Sequence, residues 1–164
     1  MEKVKDRKDE NIVVLGVGNI LLKDEGAGVK AIEELKKLDM PANVELVDGG
    51  TLGLDLLPII EKADRLIIID VVKAGSEPGT IFRFSPGDIE TPKEPGRMSL
   101  HQVPLLEVLS MAEMLGNKRP HTVILGIEPK EIDWGGELSA EVGKRLPDLI
   151  ELAIEEIHRP QPLE

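Results

Sequence analysis

Five short apolar runs mark the chain, at residues 12–17, 44–47, 66–71, 80–84 and 122–127. The first, third and fifth are almost continuously apolar, as strands covered on both faces must be. Between the first two runs, Ala31, Ile32, Leu35 and Leu38 recur at helical spacing, with Glu33, Glu34, Lys36 and Lys37 on the opposite side and Asp24 placed as an N-cap. A second helix is expected over residues 52–62, bearing Leu54, Leu56, Leu57, Ile59 and Ile60. The order β-α-β-α-β implies a parallel sheet with right-handed crossovers and helices on both faces.

The pattern changes after the third run. Residues 73–79 are rich in turn formers and too few for a helical crossover, so residues 80–84 read as an antiparallel edge strand. Residues 85–97 hold Pro86, Gly87, Pro92, Pro95 and Gly96 and read as a long surface loop of the functional or mobile kind. A third helix follows, with Leu105, Leu106, Leu109, Ala112 and Leu115 on its apolar face and Pro104 in its first turn. The last helical stretch, 139–157, carries Val142, Leu146, Leu149, Ala153 and Ile157, with Pro147 expected to kink or restart it. The expected fold class is therefore α/β, a three-layer sandwich whose sheet of five strands is mostly parallel. With no internal repeat and no linker, the chain divides into a charged extension (1–11), one domain (12–157) and a tail (158–164).

The 164 residues suffice for one real core. A formal charge of -11, from 31 acidic and 20 basic residues, argues against nucleic acid or an anionic membrane as partner, since phosphate neutralisation needs clustered Lys and Arg. The absence of cysteine excludes disulfides, thiolate metal sites and cysteine nucleophiles. No apolar run approaches a membrane span, and the first ten residues lack the apolar core of a signal peptide, so a cytoplasmic location is expected.

The first strand leads into Gly16-Val17-Gly18-Asn19-Ile20-Leu21-Leu22-Lys23-Asp24-Glu25-Gly26. Such a glycine-rich turn usually leaves backbone N–H groups open to an anion. Here two carboxylates follow, which repel phosphate and suit a cation. Asp70 closes the third strand, and ligands of open α/β sheets bind beyond the carboxyl ends of the strands. His101 precedes the third helix, where the helix dipole favours a neutral, ligating imidazole. Glu25, Asp70 and His101 together form an O/N donor set suited to zinc or nickel. Each also has an ordinary reading, as a first-turn acid, a turn cap and a helix-start residue respectively.

Asp48, in Asp48-Gly49-Gly50-Thr51, occupies the place of a ribose-binding acid, which supports a rival nucleotide-binding module; it reads equally as a turn residue. The rival is weakened by Leu21 where a third glycine belongs and by the acids at 24 and 25. His121 and His158 read as surface residues, and no Gly-x-Ser-x-Gly elbow is present. Trp134, in a loop after the fifth strand, reads either as a partner contact or as simple packing.

Taken together, the glycine turn with Asp24-Glu25-Gly26, Asp48-Gly49-Gly50-Thr51, Ile68-Ile69-Asp70, Ser99-Leu100-His101-Gln102, Leu125-Gly126-Ile127-Glu128-Pro129 and Leu138-Ser139 resemble the hydrogenase maturation endopeptidases over residues 12–157. The resemblance implies that Glu25, Asp70 and His101 match the family's metal-contacting positions. It implies as substrate and partner a nickel-loaded hydrogenase large-subunit precursor, whose C-terminal extension is removed in one cut. The nickel then arrives with the precursor. Asp48 is the candidate for an added role in catalysis or bond choice. A non-catalytic metal-binding chaperone would keep the same triad and leave the precursor uncut.

Overall fold

The computed structural model describes residues 9–51, 53–90, 102–116 and 119–160. Strands β1 (Ile12–Val17), β2 (Val44–Gly50), β3 (Arg65–Val71), β4 (Ile81–Phe84) and β5 (His121–Ile127) form one sheet in the order β2-β1-β3-β5-β4. The first four in that order run parallel, and β4 pairs antiparallel with β5. The short link before β4 enforces that reversal, as the sequence pattern predicts.

Helices α1 (Ala27–Leu35), α2 (Leu57–Lys62), α3 (Gly87–Glu90), α4 (Gln102–Met114) and α5 (Ala140–His158) complete the fold. On one face of the sheet Ile12, Val14, Ile67, Ile69, Val123 and Leu125 pack with Ala31, Ile32 and Leu35 of α1 and Val142, Leu149 and Ala153 of α5. On the other, Val13, Leu15, Leu66, Ile68 and Ile124 meet Ile60 of α2 and Val108, Leu109 and Ala112 of α4. The near-continuous apolar strands thus split by pleat alternation into two cores.

Several boundaries differ from the sequence expectation. β2 continues through Asp48, Gly49 and Gly50, because β1 beside it offers a pairing edge as far as Val17, across an irregularity at Gly16/Val17. The second helix is a 3-10 turn at Leu54–Leu56 followed by α2, with proline in its first turn. Within the expected 85–97 loop, Ser85 and Asp88 start α3, the Ser85 N–H donating to Asp88 Oδ2 at 2.9 Å, while the remainder lies outside the described residues. Leu115 falls beyond α4 and is exposed, and Val108 takes a buried place on that helix instead. Pro147 neither breaks nor restarts α5, which is one helix of 19 residues. Pro147 and Gly143 both lie on the exposed side, so the carbonyl that loses its intrahelical donor faces water. Among the described residues no helix is long and apolar enough to cross a membrane.

An ion cluster fastens α5 to the sheet. Glu156, 1% exposed, receives a bidentate pair from Arg83 of β4 at 2.9 and 3.0 Å, and Arg159 Nε lies 3.1 Å away. Arg65, buried at the start of β3, donates to the carbonyl of Glu156 at 2.7 Å. Burial pushes the Glu156 carboxyl up, but the Arg83 hydrogen bonds and the charges of Arg83, Arg159 and Arg65 outweigh it and hold the group below the usual carboxylate range.

A carboxyl whose folded pKa is depressed contributes stability above its unfolded pKa and loses it as pH falls through the folded value. Glu156→Gln should therefore be less stable than the wild type at neutral pH. The gap should close on acidification from about pH 5 downward, as read by chemical denaturation at several pH values. Arg83→Ala should cost about 1–3 kcal/mol at neutral pH by the same measurement, since it strips hydrogen bonds from a buried charge.

Candidate functional site

Glycines bring the chain's own backbone onto the carboxyl ends of β1 and β3. A Cβ at Gly16 would strike the carbonyl of Gly28, and one at Gly28 would strike the carbonyls of Ile69 and Val17. Gly18 has φ +137°, and a Cβ there would collide with the carbonyl of Glu25. The 3-10 turn Lys23–Gly26, which carries Glu25, and the first turn of α1 therefore lie against the strand ends with no side chain between.

The place is a topological switch point: the chain passes from β1 to β2 on one side and returns to β3 on the other. Glu25 follows β1 and is 6% exposed; Asp70 lies near the end of β3 and is 1% exposed. The Glu25 turn touches β3, and Gly28 packs on the carbonyl of Ile69, the residue before Asp70. Asp70 Oδ1 accepts from the N–H of Val71 at 2.7 Å, and pleat alternation sets Asp70 on the side of Leu66 and Ile68. Two buried carboxylates thus lie at one sheet edge, Glu25 in the turn after β1 and Asp70 near the end of β3. His101, expected as the third member, lies outside the described residues. Among the described residues no cluster of three His, Cys, Asp or Glu is grouped to hold a metal.

Asp48 reaches the same edge on the other side of β1, in register with Gly16. It is exposed, and its Oδ1 accepts from the N–H of Gly50 at 2.9 Å, closing a tight turn around Gly50 at φ +47°. Its alternation with Val44 and Leu46 places it on the α1 side. Asp48 and Asp70 share the sheet edge, then, but not the sheet face.

Asp24 is not the N-cap of α1. Gly26 holds that position without a side-chain cap, and Asp24 is fully buried. Its carboxylate accepts from the N–H groups of Lys130 (2.9 Å), Glu131 (2.8 Å) and Ser139 (2.7 Å) and from the Ser139 hydroxyl (2.8 Å). Ser139 in turn caps α5. Asp24 therefore ties the Glu25 turn to the loop after β5 and to the start of α5. Glu128 does similar work nearby, accepting from the N–H groups of Ala74 (2.8 Å) and Gly75 (3.1 Å). Neither role is visible in sequence, where Asp24 differs from Glu25 by one methylene and one position. The only signal is a serine in cap position before an apolar helix.

Asp24→Ala, which leaves buried donors without an acceptor, should lower stability by about 3 kcal/mol or more. Gly28→Ala, which forces a methyl between two backbone segments, should lower it at least as much. Thermal unfolding of the two variants beside Gly53→Ala, where a Cβ meets nothing within 4 Å, checks both.

The model of a family described as hydrogenase maturation protease matches residues 29–156. The hydrogenase expression/formation protein HupD of Thiocapsa roseopersicina is 44% identical over 153 residues, 91% of this chain and 68% of that protein. HupD of Bradyrhizobium diazoefficiens is also 44% identical, over 89% of this chain and 77% of its own length. Among solved structures, the hydrogenase maturating endopeptidase HybD from E. coli superposes with a TM-score of 0.80 at 33% identity, over 90% of this chain and 92% of that one. The [NiFe] hydrogenase maturation protease HybD from Thermococcus kodakarensis gives 0.77 at 29% identity, over 90% of this chain and 99% of that one. With a family model matched over most of its length, relatives 44% identical and a shared fold, the chain belongs to the hydrogenase maturation protease family and is an endopeptidase.

Proposed function

We propose that this endopeptidase removes the C-terminal extension of a nickel-loaded hydrogenase large-subunit precursor in a single cut, and that Glu25, Asp70 and His101 contact the nickel. The observation that supports it is the pair of buried carboxylates, Glu25 and Asp70, at the switch point of a maturation-protease fold. Carboxylate oxygens and an imidazole nitrogen are ligands that nickel accepts. The nickel is part of the substrate. Docking these side chains on it would fix the adjoining peptide bond at the sheet edge, and positioning of that kind removes much of an activation barrier. A metal beside the scissile bond also polarises its carbonyl or lowers the pKa of a bound water. Asp48, exposed at the end of the neighbouring strand, is proposed to help select or hydrolyse the bond.

Nickel-loaded precursor incubated with the protein should lose one C-terminal fragment by mass spectrometry, and nickel-free precursor should stay intact. Glu25→Gln, Asp70→Asn and His101→Ala should each slow the cut by about a hundredfold or more while remaining folded. His158→Ala should cleave at the wild-type rate. Asp48→Asn retains an oxygen for the Gly50 N–H and should slow cleavage without loss of fold. Processing of nickel-free precursor at the normal rate would sink this reading.

A further inference from the structure

The loop that leads to Glu25 is locked to a second loop, and together they display apolar side chains to solvent. Trp134, the only tryptophan of the chain, is 77% exposed, and Leu21 and Ile20 are 58% and 46% exposed. Simple packing, one of the two sequence readings of Trp134, therefore does not describe it. The backbone beneath these residues is nevertheless fixed. The Gly135 N–H donates to the Leu21 carbonyl at 2.9 Å and the Lys23 N–H to the Gly135 carbonyl at 2.8 Å, making a parallel bridge between Leu22 and Gly135. The Trp134 N–H donates to Asp133 Oδ1 at 2.7 Å, and Lys23 Nζ pairs with Glu131 at 2.6 Å. Lys23 sits at φ +48°, a left-handed conformation that costs a non-glycine residue about 1–2 kcal/mol, so the joined loops hold a shape the chain would not take alone.

This platform adjoins the buried acids. The Glu25 N–H donates to the Leu22 carbonyl at 3.1 Å, and Ile20 lies on Gly26, the residue after Glu25. Large apolar groups on a rigid backbone bind with little ordering cost, and tryptophan is the side chain most enriched where interface energy concentrates. Asp133 and Glu137 are exposed in the same loop as the indole, in a chain of net charge -11, which favours a cation as the group it meets.

Resting on the peptidase reading above, we infer that Trp134, Leu21 and Ile20 form a docking surface for an extended apolar and basic stretch of the hydrogenase large-subunit precursor, next to the bond that is cut. Continuity decides the occupant: a chain whose scissile bond lies at Glu25 and Asp70 must pass over the loops that hold Glu25. Of the other exposed apolar groups, Leu38, Met114 and Leu115 sit where a helix ends and before the next strand begins, at the opposite end of the sheet, while Leu54 stands alone after β2, beyond Asp48.

The single tryptophan allows a direct test. Protein grown with 5-fluorotryptophan gives one 19F resonance, which is followed as unlabelled nickel-loaded precursor is added, while KM and kcat of cleavage are measured for Trp134→Ala and Met114→Ala. The resonance should move on adding precursor. Trp134→Ala should raise KM about tenfold or more with kcat little changed, and Met114→Ala should match the wild type. Since Trp134 is exposed, its removal leaves the core intact, which circular dichroism checks. A resonance that stays put while precursor is being cut, or a wild-type KM for Trp134→Ala, overturns the docking surface and leaves the peptidase reading standing. A resonance that moves with the protein's own concentration and not with precursor assigns the patch to a second copy of the chain and equally overturns it. Movement with precursor but no cut supports the docking surface and overturns the peptidase reading alone.

Discussion

Direct backbone-to-backbone packing at the carboxyl ends of β1 and β3 is the constraint on which the site depends. Gly16, Gly18 and Gly28 each lack the Cβ that would otherwise separate α1 and its preceding turn from the strands. A side chain at any of the three would push the Glu25 turn outward, away from Asp70. Glycine is costly in the unfolded ensemble, and here that cost allows the closest approach a helix can make to a sheet. The same contact fixes where the turn carrying Glu25 lies relative to β3.

Neighbouring acids in this turn divide the work by geometry. Asp24 spends its carboxylate on donors from the loop after β5 and from Ser139, so it is a tether. Glu25, held one residue on by that tether and by Gly18, remains at the switch point beside β3. Buried carboxylates are tolerable only when their oxygens are satisfied, and Asp24 and Glu128 both achieve this with backbone N–H groups. Each bond also orders a loop at the sheet edge, which makes the platform around Glu25 stiff.

Charge is used differently where α5 finishes. There Arg65 and Arg83 fasten Glu156 of the last helix to β3 and β4, and Arg159 at the end of that helix adds a third positive charge. A buried ion pair gains little over an apolar contact of the same shape, but it fixes which groups must meet. The molecule therefore has one region where opposite charges hold the fold and another, at the carboxyl edge of the sheet, where Glu25 and Asp70 are buried.

The number of strands, their mostly parallel pairing, the reversal of β4 and the two-sided core were legible in the sequence because period and link length are local properties. Continuous apolar runs at β1, β3 and β5 announce burial on both faces, and a seven-residue link cannot carry a helix between parallel strands. The position of Glu25 and Asp70 at the carboxyl edge was legible too, since an acid closing an apolar strand is conspicuous and Glu25 follows a glycine turn. What the sequence left open was decided by contacts between residues far apart in the chain. Asp24 becomes a tether only because Ser139 arrives beside it, β2 extends to Gly50 only because β1 offers an edge, and Pro147 stays within α5 because its side of the helix faces water. Trp134 is exposed because the bridge from Gly135 to the Leu21–Lys23 backbone fixes the tip of its loop beyond the reach of the core. Periodicity determines which elements form and which face each buries; the use of an individual polar or aromatic side chain depends on what the fold places next to it.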